Sequence, residues 1–189
     1  MANLIKTALR NTVNQVRKKL SADYISDCSK KICEHLSELD QYRSAKYLGL
    51  YQATRGEVDL SYLWDRAPFQ GKFCYFPSIT TESSLLFLPA TPATAFKKNT
   101  FDIIEPDVSP ELAIDVEQLQ IIIMPLVAFD GQCRRLGMGG GYYDKTLANK
   151  KTQCLVGLAY NFQKTSYIEA NSWDIPLDMV ITPDKIYRP

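Results

Sequence analysis

The ten residues from Arg135 to Asp144, Arg-Leu-Gly-Met-Gly-Gly-Gly-Tyr-Tyr-Asp, hold the types and spacing best suited to chemistry. Gly137, Gly139, Gly140 and Gly141 let the chain turn tightly and present its N–H groups, because no side chain blocks a ligand's approach. Arg135 at one end supplies a charged fork of donors suited to phosphate, and Asp144 at the other is a carboxylate suited to a divalent cation. Backbone donors, a cation and a metal-grade carboxylate in one loop suggest a nucleoside triphosphate site. Two common phosphate motifs are excluded. The chain has no G-x-x-x-x-G-K-[ST], and these glycines miss the G-x-G-x-x-G spacing and lie well beyond the preceding strand. On the residues alone, a structural role in turns and close helix–strand contacts stays open.

The elements that must position this loop can be read from apolar periodicity. Residues 3–20 read as a helix with an apolar stripe of Ile5, Leu9, Val13, Val16 and Leu20. Lys6, Arg10 and Arg17 fall on a narrow basic stripe beside it. Ser21 suits the cap of a second helix, with Asp23 in its first turn and Ile25, Cys28, Ile32, Leu36 and Leu39 on its buried face. Ala45–Tyr51, Lys72–Phe76, Leu85–Leu88, Gln120–Met124 and Cys154–Ala159 read as strands, and Met179–Ile181 as the strand that closes the sheet. Residues 57–66 and 142–149 read as helices, and 89–118 as an irregular excursion. Alternating strands and helices predict an α/β sandwich with a mostly parallel sheet. In such sheets ligands gather at the carboxyl ends of the strands, and Gly141 sits where a helix begins after the strongest strand.

Bulk properties narrow the class. A chain of 189 residues suits one domain spanning 1–189. A formal charge of +1 gives no electrostatic footprint for nucleic acid or an anionic membrane. No apolar run approaches the ~20 residues that cross a bilayer, and Met1–Lys6 lacks a secretory apolar region, so the expected address is cytoplasmic. Cys28, Cys33, Cys74, Cys133 and Cys154 are odd in number and scattered, and read with His35 as packing or boundary residues.

Further candidates carry two readings each. The Lys6/Arg10/Arg17 stripe is either a solvated face or a set of cations reaching over a cleft at the core's edge. Glu57 and Asp59 either start a helix or accept hydrogen bonds from a ligand's N–H groups. Asp174 and Asp178 are turn formers or a second metal ligand.

The segment Pro125–Asp130 through Arg135–Asp144 resembles the signature of the 5-formyltetrahydrofolate cyclo-ligase family, also called 5,10-methenyltetrahydrofolate synthetases. Lys6-x-x-x-Arg10, Tyr51 through Gly56-Glu57-Val58-Asp59, Phe101–Pro106 and Trp173-Asp174 to Asp178 agree in the family's order. Glycine usually stands in the family where this chain has Asp102 and Cys133. The resemblance implies a three-layer sandwich, the fold shared by sugar-phosphate isomerases and CoA transferases. It also implies ATP- and Mg²⁺-dependent closure of 5-formyltetrahydrofolate to 5,10-methenyltetrahydrofolate with release of ADP and phosphate. The residues it assigns to ATP are Lys6, Arg10, Arg135, Gly137, Met138, Gly139, Gly140, Gly141, Tyr142 and Tyr143. Gln52, Glu57, Met138 and Tyr142 would meet the folate, Asp144 and Asp174 the Mg²⁺, and Arg135, Tyr142 and Asp144 would be catalytic. A cytoplasmic monomer with these small-molecule partners is expected. The rival expectations are an isomerase or transferase of the same fold, which would leave ATP intact, and a folate- or nucleotide-binding module without turnover.

Overall fold

In the computed structural model, residues 2–99, 103–148 and 154–189 are described. The chain opens with helices α1 (Ala2–Arg17), α2 (Ala22–Glu38) and α3 (Asp40–Ser44). Strand β1 (Tyr47–Gly49) and helix α4 (Ser61–Trp64) follow, then strands β2 (Phe73–Ile79) and β3 (Leu85–Ala90). Strands β4 (Phe96–Lys98) and β5 (Ile104–Pro106) form a small separate hairpin. Next come β6 (Ile121–Met124), a second small hairpin of β7 (Ala128–Phe129) and β8 (Arg135–Leu136), and helix α5 (Tyr142–Leu147). Strands β9 (Leu155–Leu158), β10 (Met179–Ile181) and β11 (Ile186–Tyr187) complete the fold.

Seven strands form one sheet in the order β11-β10-β9-β6-β1-β2-β3. The five inner strands are parallel, and an antiparallel strand lies at each edge. Every residue of β6, β9 and β10 is buried, as expected of parallel strands covered on both faces. Period-two alternation then explains the uninterrupted apolar runs. Ile121, Ile123, Val156, Leu158, Met179 and Ile181 turn to one core with Ile32 and Leu36 of α2. Ile122, Met124, Leu155 and Val180 turn to the other with Phe87, Phe129 and Leu147. The chain enters the sheet at β1, builds outward through β2 and β3, then crosses back to β6 on β1's other side. That reversal puts a crevice between the carboxyl ends of β1 and β6, where open α/β sheets bind ligands.

The expected α/β sandwich with a mostly parallel sheet is present, and several boundaries differ from the sequence reading. Ser21 caps α2 as expected, its hydroxyl accepting from Tyr24 N–H at 3.2 Å. Helix α1 stops at Arg17, short of residue 20. The helix expected over 57–66 is confined to Ser61–Trp64, and Arg55 and Gly56, left-handed at φ 52° and 73°, turn the chain just before Glu57. Asp59 does help start that helix, accepting from Ser61 N–H at 2.9 Å. Strand β2 runs through Pro77 to Ile79. Its pairing with β1 ends at Tyr75, so the missing N–H of Pro77 is not required there. Beyond Met179–Ile181 the edge of the sheet is β11. The stretch expected to be irregular holds the β4–β5 hairpin, although Phe101 and Asp102 lie outside the described residues, as does Asn149 at the end of the fourth expected helix.

The largest departure concerns α1. Ile5 is 67% exposed and Val16 39%, so only part of the expected apolar stripe is buried. The face turned inward carries Lys6, Leu9, Arg10, Val13, Asn14 and Arg17, with Arg17 only 2% exposed. Leu9 and Val13 anchor it, Leu9 against Ala128, Leu136 and Ile168. Polar partners waiting in the crevice decide which way this helix faces.

Candidate functional site

Helix α1 lies across the crevice and touches it at successive turns. Lys6 Nζ is 3.8 Å from Asp174 Oδ2. One turn on, Arg10 Nε donates to Gly137 O at 2.9 Å, and its guanidinium lies against Gly139. Asn14 approaches Met138, with Nδ2 4.0 Å from the thioether sulfur. Arg17, buried, donates to Asn14 Oδ1 at 3.1 Å and reaches Glu57 Oε1 and Leu126 O at 3.5 Å each. From Lys6 to Arg17 is eleven residues, or roughly 16 Å of helix at 1.5 Å each. The basic stripe is therefore no solvated face.

The glycine loop follows the β7–β8 hairpin. Gly139 is at φ 107° and Gly141 at φ 66°, conformations that L side chains rarely adopt. Gly141 caps α5, whose first residue is Tyr142, as expected. Gly140 is required for another reason. A Cβ there would lie 2.5 Å from Cε2 of Tyr142, so the ring lies folded over the bare backbone. The atom in the way is the far end of a side chain, which can swing aside. Gly140→Ala should therefore leave the melting temperature within a few degrees while displacing the Tyr142 ring. We expect about a tenfold to hundredfold loss in kcat/KM, read by steady-state kinetics beside a thermal melt.

Before the loop, the turn Asp130–Arg134 is held by Asp130 Oδ1, which accepts from Gln132 N–H at 2.9 Å and Arg134 N–H at 3.1 Å. Cys133 in this turn is left-handed, at φ 55°. A backbone position suited to glycine is thus filled by a cysteine whose side chain packs, fully buried, among Phe129, Leu126 and Leu177.

Arg135 does not present an open fork. Its Nη2 donates to Asp144 Oδ1 at 2.7 Å and its Nη1 donates to Ile175 O. Asp144 Oδ1 also accepts from Ile175 N–H at 3.0 Å. Asp144 is thus bonded to the residue that follows Asp174, whose own carboxylate is held through Oδ2 by Asn171 N–H at 2.8 Å. Among the described residues the contacts of each carboxylate fall on a single oxygen, Oδ1 of Asp144 and Oδ2 of Asp174. Magnesium takes one or two protein carboxylates and completes its shell with water and substrate phosphates, so this donor set suits it. Among the described residues no group of three or more His, Cys, Asp or Glu forms an all-protein metal cage. Asp178 has a role outside the two considered for it, tying the start of β9 by accepting from Leu155 N–H at 2.6 Å.

At the opposite end, Glu57 follows β1. Its Oε2 accepts from Thr54 N–H at 3.0 Å, and its backbone O accepts from the Tyr160 hydroxyl at 3.2 Å. Burial pushes the Glu57 carboxyl above the ordinary carboxylate range, while the Arg17 guanidinium and Thr54 N–H pull it down. Tyr51 and Tyr143 are raised well above the usual tyrosine value, first by burial and then by the nearby Glu57 charge. Tyr143 therefore belongs to the Glu57 end, packed 6.5 Å from Phe87, and not to the loop's exposed rim. Its buried hydroxyl has no partner among the described residues, and neither does Arg17 Nε. Met138 is 47% exposed at the mouth, and Gln52 is half-buried just after β1.

Of the residues singled out from sequence, Lys6, Arg10, Arg135, the glycines, Tyr142, Asp144, Asp174 and Glu57 converge on this crevice. Asn14, Arg17, Tyr51, Thr54 and Tyr160 join them there, although the sequence does not mark them as site residues. Arg17 alone had left a signal, seven residues beyond Arg10 on the same stripe. Elsewhere the cysteines are free thiols, Cys28 half-buried and the rest buried, and burial raises Cys154 to about 11. His35 Nδ1 lies 3.2 Å from Thr182 O at the end of β10. No helix among the described residues is long and apolar enough to cross a membrane.

Known proteins resemble this chain in sequence and fold. The chain is 36% identical over 173 residues to the 5-formyltetrahydrofolate cyclo-ligase of Haemophilus influenzae, spanning 89% of this chain and 92% of that one. It is 32% identical over 181 residues to the Escherichia coli protein of the same name, spanning 93% and 99%. Among solved structures, the Aquifex aeolicus 5,10-methenyltetrahydrofolate synthetase superposes with a TM-score of 0.85 at 31% identity, covering 97% of this chain and 92% of that one. A Mycoplasma pneumoniae 5,10-methenyltetrahydrofolate synthetase does so at 0.77 and 25% identity, covering 94% and 98%. Residues 3–183 match the model of one family of enzymes along nearly the whole chain, and with the signature loop built as described, this chain belongs to the 5-formyltetrahydrofolate cyclo-ligase family.

Proposed function

We propose that the chain closes 5-formyltetrahydrofolate to 5,10-methenyltetrahydrofolate, using ATP with Mg²⁺ and releasing ADP and phosphate. The observation that carries this reading is α1 itself. It sets Lys6 and Arg10 beside the glycine loop and two carboxylates, and Arg17 beside a buried acceptor at the far end. One end has the cations and amides for a triphosphate, the other a carboxylate for the N–H donors of a pterin.

Energy input follows from the bond to be broken. The formyl oxygen must leave, and an amide oxygen leaves poorly. In the proposed route that oxygen attacks the γ-phosphorus and the bond to the bridging oxygen breaks, releasing ADP. The N10 lone pair then attacks the formyl carbon, N10 loses its proton, and the C–O bond breaks with release of phosphate. Little covalent work falls to the protein; alignment and charge neutralisation carry the rate. Lys6 and Arg10 neutralise the phosphates, and the amides near Gly139 and Gly140 orient them. Arg135 fixes the aim of Asp144 through their 2.7 Å bond. Glu57 and Gln52 hold the folate, with Met138 and Tyr142 between the two ligands. Bound through Asp144 and Asp174, Mg²⁺ would supply Lewis-acid neutralisation of phosphate charge.

The test is to mix the purified chain with Mg-ATP and 5-formyltetrahydrofolate. Near-ultraviolet absorbance of the methenyl product should rise in step with ADP, and EDTA should stop both. Binding of both ligands with no ADP would favour a binding module. No ATP-dependent absorbance would reject the cyclo-ligase reading.

A further inference from the structure

Arg17 has no role assigned by anything described so far. It is a full-length cation with a side chain 1% exposed, placed where burial is costly unless the charge is used. Its contacts join four parts of the site. Nη1 reaches Glu57 Oε1 after β1 and Leu126 O after β6, and Nη2 reaches Asn14, which meets Met138 in the glycine loop. Its own backbone O sits where a Cβ on Gly56, the neighbour of Glu57, would lie only 2.8 Å away. Nε is buried and unpartnered among the described residues, so the guanidinium is not placed for its own satisfaction.

We propose that Arg17 is a positioning residue that holds Glu57 aimed and ionised in the folate end of the crevice, and ties that carboxylate to the nucleotide loop through Asn14. The ligand part rests on the reading of Glu57 given above. Tyr51, Tyr143 and Tyr160 face Glu57 from the other sides. Burial raises all three, so near neutrality they are uncharged and Arg17 is the cation that opposes burial's effect on Glu57. The sign follows. As pH falls, Glu57 takes a proton and can no longer accept as a charged group, so folate binding weakens. Without Arg17 that loss begins at higher pH.

The experiment follows the Glu57 side-chain carbon by NMR in ¹³C-glutamate-labelled protein, its signal identified by its absence in Glu57→Gln. In Arg17→Met the titration midpoint should rise by about one pH unit or more, and in Arg17→Lys it should return most of the way. The KM for 5-formyltetrahydrofolate in Arg17→Met should climb as pH is lowered from 8 to 6 while the KM for ATP stays level. A residue that only supported the fold would lower stability and leave these pH profiles in place. An unchanged midpoint in Arg17→Met overturns the inference. Should that variant fail to fold, the unaltered chain decides, since the Arg17 guanidinium ¹⁵N signals must move with the Glu57 midpoint, and flat signals overturn it. Neither NMR reading requires turnover, so a chain that makes no methenyl product sinks the functional reading separately.

Discussion

Asp144→Asn should lower kcat by roughly 10²–10³-fold while the chain stays folded. The native Oδ1 accepts from Ile175 N–H and from the Arg135 guanidinium, and an asparagine Oδ1 can accept from both. What disappears is the negative charge. Arg135, whose side chain is 6% exposed, keeps a neutral partner in place of an ionic one, a loss of about 1–2 kcal/mol in stability. Steady-state kinetics over a range of Mg²⁺ concentrations, beside a thermal melt, separate the two effects. Near-normal turnover at limiting Mg²⁺ would remove Asp144 from the metal's ligands and leave it as an anchor for the residue 175 segment.

Gly56→Ala should be the most damaging small substitution in the site, at about 3 kcal/mol. Two costs add. Alanine would have to adopt φ 73°, and its methyl would stand 2.8 Å from a backbone oxygen of α1. Backbone cannot swing aside as the Tyr142 ring can beside Gly140. For a chain of this size such a loss lowers the melting temperature by roughly 10 °C. Gly71 provides the control, since it has φ 67° but open space around its Cβ position. Gly71→Ala therefore carries the strain alone, about 1 kcal/mol. Equal urea midpoints for the two variants would show that the contact with α1 yields, and that the Glu57 turn is softer than its geometry indicates.

Much of this molecule could be read from the chain because its signals are local. Glycines near residue 140 report their own backbone needs, and two of the four are at positive φ. The strands at 121–124 and 155–158 announce themselves by continuous apolar residues, since both faces of the sheet are covered. Failures of the sequence reading occurred where distant parts decide. Ile5 and Val16 look like core residues, yet Gly137 O and Asp174 recruit Arg10 and Lys6 and turn α1 the other way. Arg17 looks like a surface arginine because nothing nearby in sequence reveals that Glu57 will stand opposite it. Pro77 looks like a strand terminator, and only the short reach of β1 alongside makes it harmless. Cys133 is the converse case. A cysteine does not announce a left-handed turn, yet its backbone is at φ 55°.

The inward face of α1 has a consequence for how rotation of this rod is fixed. Consecutive residues are offset by about 100°, so rolling the helix by one position would bring Ile5 and Val16 toward the crevice and carry Lys6, Arg10 and Arg17 away from it. Hydrophobicity by itself would tolerate that roll. The ionic partners at both ends forbid it, so the azimuth of the first helix is set by the charged crevice and not by the oily core.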